Sequence, residues 1–571
     1  MEYGPQLKIS QEIHATKHRQ EGETFEQAMR RLAHALADDT AHEEELLDIF
    51  LNMRFLPAGR VQAAMGADKL VTAYNCFVSG TIPDSMIGIM NKLTESALTM
   101  QKGGGIGYGF SNIRPRGALI NSLKSSASGP VSFMEPFDAT CGTISSSGDR
   151  RGAQMGVLRI DHPDIEEFIL AKTNETALRR FNLSVGVTDA FMQAVIDDVD
   201  FDLVFEGEVY KTVPATYLWN LLMQSTWDWA EPGVLFIDRI NNENNLYYCE
   251  TIEATNPCGE QPLPPYGACL LGSFNWVKYI KYDECDVPYF DDEQLLDDIY
   301  PVVRAMDNVV DRTIYPLPQQ EAEAKAKRRM GLGVTGYANA IEALGFAYGS
   351  PNSLEFTDNI MEHVTNHCYR ASALLAREKG SFPLYDAEKY LAAPFVQKLH
   401  LDTLTYMQAY GMRNSHLTSM APTGSISLGA DNISSGIEPV FSYGYERTIQ
   451  EFDGERVEHV TDYGVRVFGV RGRTADSLTP KEHVDVLVAF QKWTDSACSK
   501  TCNIGADVGF EEFKDVYMQA YLGGAKGCTT FRAAGKRFGI LNVTEETPEE
   551  PEVVEGAACY IDPATGKKSC D

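Results

Sequence analysis

The stretch Asn256-Pro257-Cys258-Gly259-Glu260 sets an amide, a thiol and a carboxylate at alternate positions. In an extended segment, side chains two apart point to the same side. Asn256, Cys258 and Glu260 are therefore expected to share one face. Pro257 stiffens the segment, and Gly259 allows close approach of a ligand. An amide, a sulfur and an acid/base carboxylate side by side suit a reaction more than a packing role. A lone cysteine in a turn is more often a small buried hydrophobe. Two further cysteines, Cys76 in Tyr74-Asn75-Cys76-Phe77-Val78 and Cys269 in Gly267-Ala268-Cys269-Leu270, shift that balance.

Ala421-Pro422-Thr423-Gly424-Ser425-Ile426-Ser427 offers backbone N–H groups and three hydroxyls. Such a turn into a helix suits a phosphate, although a helix cap is the plainer reading of the isolated motif. Asp84-Ser85 stands at an expected helix start, where Asp84 is a natural N-cap.

The same chain carries Lys102-Gly103-Gly104-Gly105-Ile106-Gly107, Arg150-Arg151-Gly152-Ala153-Gln154-Met155, Ser499-Lys500-Thr501-Cys502-Asn503 and Lys526-Gly527-Cys528-Thr529. Taken in order with the cysteine motifs, these resemble the catalytic subunits of ribonucleotide reductases. The resemblance implies that Cys258 becomes a thiyl radical, Glu260 takes the 3′-hydroxyl proton and Asn256 holds the sugar. Cys76 and Cys269 would supply the reducing electrons. It implies substrate contacts from Asn75, Asn414, Ser415 and Pro422, Thr423, Gly424, Ser425, Ile426 and Ser427. A deoxynucleoside triphosphate or ATP effector would bind near Asp84, Ser85, Arg114 and Arg116. Arg150, Arg151, Gly152, Ala153, Gln154 and Met155 would pass its identity to the substrate site. Cys559 and Cys570, on the tail, would carry electrons from a thioredoxin or glutaredoxin by thiol–disulfide exchange.

The radical source reads two ways. Class II reductases cleave adenosylcobalamin beside the cysteine, and Cys528-Thr529-Thr530-Phe531 lacks the tyrosine pair of the class I chains. Yet Tyr247-Tyr248 is a tandem tyrosine upstream of Cys258. The compact chain is similar to reductases of cyanobacterial phages that work with a separate subunit. The expectation taken from this is a ferritin-like, metal-containing small subunit as radical donor. Tyr247 and Tyr248 would relay the radical, and no metal or cofactor would be held tightly in this chain. Adenosylcobalamin is the alternative. A glycyl-radical enzyme fits poorly at Arg532-Ala533-Ala534-Gly535, and a non-catalytic nucleotide-binding regulator leaves the cysteines unexplained.

The elements that must position these groups follow from the pattern. Thr24 to Asp39 reads as a capped amphipathic helix with Ala28, Leu32, Ala35 and Leu36 on one face. Ser85 to Met100, Ala215 to Ala230 and Ser353 to Lys379 read as helices, and Phe181 to Val187 as a strand. Alternating strands and helices give an α/β body. The resemblance implies a ten-stranded α/β barrel, over residues 71–540, with a central finger loop carrying Cys258. A short helical region, 1–70, precedes it without an activity-regulating module, and a tail, 541–571, follows. Thr544 to Glu555 is acidic and reads as a flexible linker.

The 571 residues are 44% hydrophobic, enough for a large core. A formal charge of −30 repels nucleic-acid backbones and anionic membranes. Twelve cysteines in this length do not make a disulfide scaffold. No leader or membrane span is seen, so a cytoplasmic location is expected, that of the host if the chain is phage-encoded. A homodimer is expected by resemblance alone.

Overall fold

The computed structural model describes residues 3–120, 124–146, 150–151, 153–173, 177–451, 454–532, 535, 559–561 and 568–570. Four helices precede the first cysteine motif: α1 (Lys8–His18), α2 (Phe25–Leu36), α3 (Thr40–Leu51) and α4 (Gly59–Ala64). Thr24 and Gln27 close a capping box at the start of α2, which buries Ala28, Leu32 and Leu36. Asn308 donates to Leu36 O at 2.8 Å, and Asp38 bridges Arg304 at 2.7 Å and Lys379 at 2.6 Å, so this region is bolted to the body.

The strands that build the site are β1 (Phe55–Pro57), β2 (Cys76–Val78), β3 (Gly105–Gly109), β4 (Gln154–Arg159), β5 (Phe181–Val187) and β6 (Gly233–Phe236). They continue with β7 (Ala254–Thr255), β8 (Pro262–Leu263), β9 (Ala268–Cys269), β10 (Leu271–Asn275), β11 (Gly331–Thr335), β12 (Thr501–Ile504) and β13 (Gly527–Arg532). An eight-stranded sheet runs β9-β2-β3-β4-β5-β6-β13-β12. Its ladders from β2 to β6 are parallel, and β9 joins β2 antiparallel. Both faces are covered, so β5 is an almost continuously buried run rather than a simple alternation. A second sheet, β1-β10-β11, has three strands.

The α/β class therefore holds, but the described sheets are not one closed ten-stranded ring. They are tied by isolated bridges, Leu332 to Thr418 and Met420 to Cys498. The short segment between those bridges runs beside β11, with Leu332 N–H donating to Leu417 O at 2.8 Å and Ser419 N–H to Leu332 O at 3.0 Å. Helices expected from the pattern appear as α5 (Met86–Gln101), Ala215–Trp229 and Pro351–Lys379. A last short helix, α6 (Gly424–Gly429), packs against α1, which also contacts α4.

The antiparallel pair β7 and β8 forms a hairpin whose first strand lies on the glycines of β3. A Cβ on Gly107 would stand 1.8 Å from Thr255 O, and one on Gly109 3.4 Å from the Glu253 side chain. Gly107→Ala must therefore push the hairpin off β3. It is expected to cost about 1–3 kcal/mol, as overpacking does, and to lower turnover at least tenfold. Urea unfolding and nucleotide reduction measured on the same preparation check both, and a variant with wild-type values would show that the hairpin is not seated there.

Candidate active site

The hairpin tip carries the Asn256–Glu260 motif, and it is a tight turn rather than the extended segment expected from alternation. Gly259 N–H donates to Asn256 O at 3.1 Å, with Gly259 at φ +84°. The Asn256 side chain closes the turn, its Oδ1 accepting from Gln261 N–H at 3.0 Å. Its Nδ2 is buried without a partner among the described residues, a donor left for something else. Asn182, on β5, donates to Pro257 O at 3.1 Å. Glu260 O accepts from Ala497 N–H at 3.0 Å and from the Ser419 hydroxyl at 2.9 Å. The tip is thus pinned from both sides.

A cleft enclosing about 490 Å³ of empty space, part of it open to solvent, meets the tip. Cys258 and Glu260 line it together with Asn75, Cys76 and Pro422 to Ile426. Gly105 is the floor shared by two of the sulfur-bearing segments: a Cβ there would stand 3.2 Å from Cys76 Sγ and 3.3 Å from Pro257 Cγ. Cys269 lies directly opposite Cys76 in the β9–β2 register. Facing residues of an antiparallel pair have Cα atoms about 4.5–5.5 Å apart, inside the about 4.4–6.8 Å that a disulfide needs. Both are buried. Cys258 is held in a disulfide, so its thiol must be released by reduction before it can act.

Of the hydroxyls in the Ala421–Ser427 turn, Ser425 is the one left half-buried in the cleft wall. Thr423 also lines the cleft, but its hydroxyl is bound to Thr335 at 2.9 Å and accepts from Gly436 N–H at 2.6 Å. Thr423 sits at φ +55°, an uncommon backbone state that this anchoring holds in place. Ser427 is buried behind the cleft, donating to Gly424 O at 3.1 Å. Asn414 and Ser415 do not reach the cleft. Asn414 donates to Asp307 at 2.8 Å and to Arg328 O, and Ser415 is buried against His416. Ala58, Gly59 and Ser273 line the cleft without having been expected, because nothing in their types marks chemistry.

Away from the cleft, Ser85 and not Asp84 caps α5, accepting from Gly88 N–H at 3.1 Å. Asp84 instead holds Arg114, through the guanidinium at 2.7 Å and the backbone N–H at 3.1 Å. Arg116 pairs with Glu167 and with Asp164. Arg150 and Arg151 form a short ladder with Ser145 and Ser146, and Gly152 lies outside the described residues. Ala153 is buried, while Gln154 and Met155 already belong to β4. Gln154 is fixed by Tyr108 at 2.9 Å, so this half of the segment is scaffold rather than free loop. In the tail, Cys559 stands opposite Cys570 in an antiparallel pair, whose strand Lys568–Cys570 lies against α6. Thr544 to Glu555 lies outside the described residues.

A profile described as "Ribonucleotide reductase, barrel domain" matches residues 74–466 and 471–531. The chain belongs to the ribonucleotide reductase family. It is 34% identical over 543 residues to a vitamin B12-dependent ribonucleoside-diphosphate reductase of Thermoplasma acidophilum, covering 89% of this chain and 68% of that one. A protein of the same name from Mycobacterium tuberculosis is 33% identical over 536 residues, covering 88% and 72%. A vitamin B12-dependent ribonucleotide reductase of Streptomyces coelicolor is 28% identical over 613 residues, covering 92% and 63%. These relatives overturn the expected ferritin-like subunit and the metal placed in that partner, and they give no support to the phage kinship drawn from chain size. The geometry agrees for this reductase. Tyr247 and Tyr248 donate to the carbonyls of Lys389, in the helix Ala387–Leu391, and Leu384, just before it, at 3.2 and 3.0 Å. The relay expected from their tandem position falls with the separate subunit it would have served. Among the described residues no helix is long and apolar enough to cross a membrane.

The cap assignment is testable by stability alone. Ser85→Ala is expected to cost about 1 kcal/mol. Asp84→Ala should leave α5 capped and cost less, while releasing Arg114. Thermal unfolding of the two variants checks the order, and a larger loss for Asp84→Ala would return the cap to that residue.

Proposed function

We propose that this reductase converts ribonucleoside diphosphates to 2′-deoxyribonucleotides with adenosylcobalamin as radical source. The observation that carries the reading is the single cleft that joins Cys258, Cys76, Glu260 and Asn75 to the Pro422–Ile426 turn. Reduced Cys258, as a thiyl radical, takes the 3′-hydrogen of the ribose and later returns it. Glu260 holds the 3′-hydroxyl proton, and the Asn256 amide, with its unused Nδ2, hydrogen-bonds the sugar. The 2′-hydroxyl leaves as water. Cys76 and Cys269 give two electrons and two protons and become a disulfide, which their facing register allows without moving the strands. The Pro422–Ile426 turn takes the phosphates.

In this reading the cofactor lies beside the fingertip, where the turn leaves open space. A Cβ on Gly259 would meet nothing within 4 Å. Across the sheet, Gly233 leaves a small side-chain-free position between the hydroxyls of Ser184 and Thr529. Bound adenosylcobalamin supplies a homolysable cobalt–carbon bond, and hence one unpaired electron. Asn182 holds Pro257 and so fixes the turn that carries Cys258. The tail pair Cys559 and Cys570 is the carrier that resets Cys76 and Cys269 from a thioredoxin-type protein, supported by the strand Lys568–Cys570 lying against α6. A deoxynucleotide effector beside Asp84 and Arg114, and a homodimer, complete the reading.

Reduction of cytidine diphosphate should require added adenosylcobalamin and proceed with no second protein. Cys258→Ser should abolish it while nucleotide binding stays within about twofold, since the substitution is nearly isosteric. Tyr247→Phe and Tyr248→Phe should retain full cobalamin-dependent turnover. Product formation by Cys258→Ser above a percent of wild type would sink the mechanism, and turnover without cobalamin would sink the cofactor assignment.

A further inference from the structure

The cleft has a charge problem at its phosphate end. Among the described lining residues the ionisable groups are Cys76 and Glu260, joined by Cys258 once its disulfide is reduced, and none is a cation. A diphosphate brings negative charge into a wall that offers only dipoles there. A candidate donor stands one layer back, at the end of α1. A Cβ on Gly59 would lie 3.0 Å from His18 Nε2 and 3.7 Å from Ser425 Oγ. Gly59 and Ser425 both line the cleft, so the imidazole edge faces it across a residue that has no side chain.

His18 is held there by its surroundings. Helix α1 packs on α4, which begins at Gly59, and on α6, which carries Ser425. His14, one turn earlier, meets the His18 ring edge-on at 5.2 Å between centroids. Arg19 Nε donates to His14 Nδ1 at 2.9 Å, which fixes the His14 ring. Burial first, and then the neighbouring His18, keep the pKa of His14 well below the ordinary value, so His14 is a neutral brace. The two histidines also line a second cavity, which shares Ile426 with the cleft.

We propose that the buried His18 ring donates a hydrogen bond to the substrate's terminal phosphate, reaching it past Gly59 beside Ser425. This rests on the reading of the cleft as a ribonucleoside-diphosphate site. It makes the N-terminal helix part of the substrate wall, and it gives the cleft a reason to prefer a diphosphate over a monophosphate.

Calorimetric titration of the full chain with cytidine diphosphate and cytidine monophosphate tests it, in wild type, His18→Ala and His18→Gln. Charge-assisted hydrogen bonds to phosphate are the strong ones. His18→Ala should therefore weaken the diphosphate about tenfold or more and the monophosphate less than about twofold. His18→Gln, which keeps a donor, should fall between. For variants that turn over, the loss should appear in KM with kcat within about twofold. Equal weakening of both nucleotides, or unchanged diphosphate affinity, overturns the proposal. If His18→Ala fails to fold, an unchanged ratio of the two affinities in His18→Gln overturns it equally. Wild-type protein that binds neither nucleotide would bring down the reading of the cleft itself, a result distinct from a wild type that discriminates and variants that discriminate as well.

Discussion

A backbone-to-backbone contact governs this structure. The hairpin carrying Cys258 rests on β3 where Thr255 O occupies the space a Cβ of Gly107 would need. Gly105 and Gly109, on the same face, extend the bare track toward Cys76 and toward Glu253. No side chain could be fitted between the two without lifting the tip away from the sheet. The sulfur of Cys258, the floor at Gly105 and the thiol of Cys76 are therefore placed by the same absence of bulk. Anchors added from Asn182 and from Ser419 and Ala497 then keep the tip from sliding along the track.

Much of the site was legible from residue types. Cys76, Cys258, Glu260 and the Pro422–Ile426 turn lie more than 300 positions apart at the extremes, and they meet in one cleft. The strand Phe181–Val187 and the long helices also match their patterns, because period and length are local properties. What failed was inference that needed the third dimension. The tip turns where alternation suggested extension, because a glycine with positive φ and an asparagine clasp outweigh the pleat. Asn414 and Ser415 sit near the phosphate turn in sequence but spend their polar groups on Asp307, Arg328 and His416. Tyr247 and Tyr248 are adjacent, yet adjacency says nothing about whether a hydroxyl faces a thiol or an outer backbone carbonyl.

Three of the cleft residues that sequence reading missed share one trait. Ala58, Gly59 and Ser273 contribute small volume, so they define space rather than chemistry. Asn182 and His18 could have been suspected, the first as a polar residue in an apolar strand and the second from its spacing with His14 on one helix face. Neither signal is specific without knowing what lies opposite. The capping of α5 by Ser85 shows the same limit at short range, since Asp84 and Ser85 are equally good caps and only the pull of Arg114 decides between them.

The facing of Cys76 and Cys269 has a thermodynamic consequence beyond electron supply. The two residues are far apart along the chain but adjacent across the β2–β9 ladder. Joining them would tie off a loop of about 190 residues, which on chain-entropy grounds removes about 5 kcal/mol of freedom from the unfolded state. A protein that oxidises this pair in every catalytic cycle would alternate between a laced and an unlaced form, with the laced one harder to unfold. Starved of reductant, it would then accumulate in its more durable state, idle but preserved.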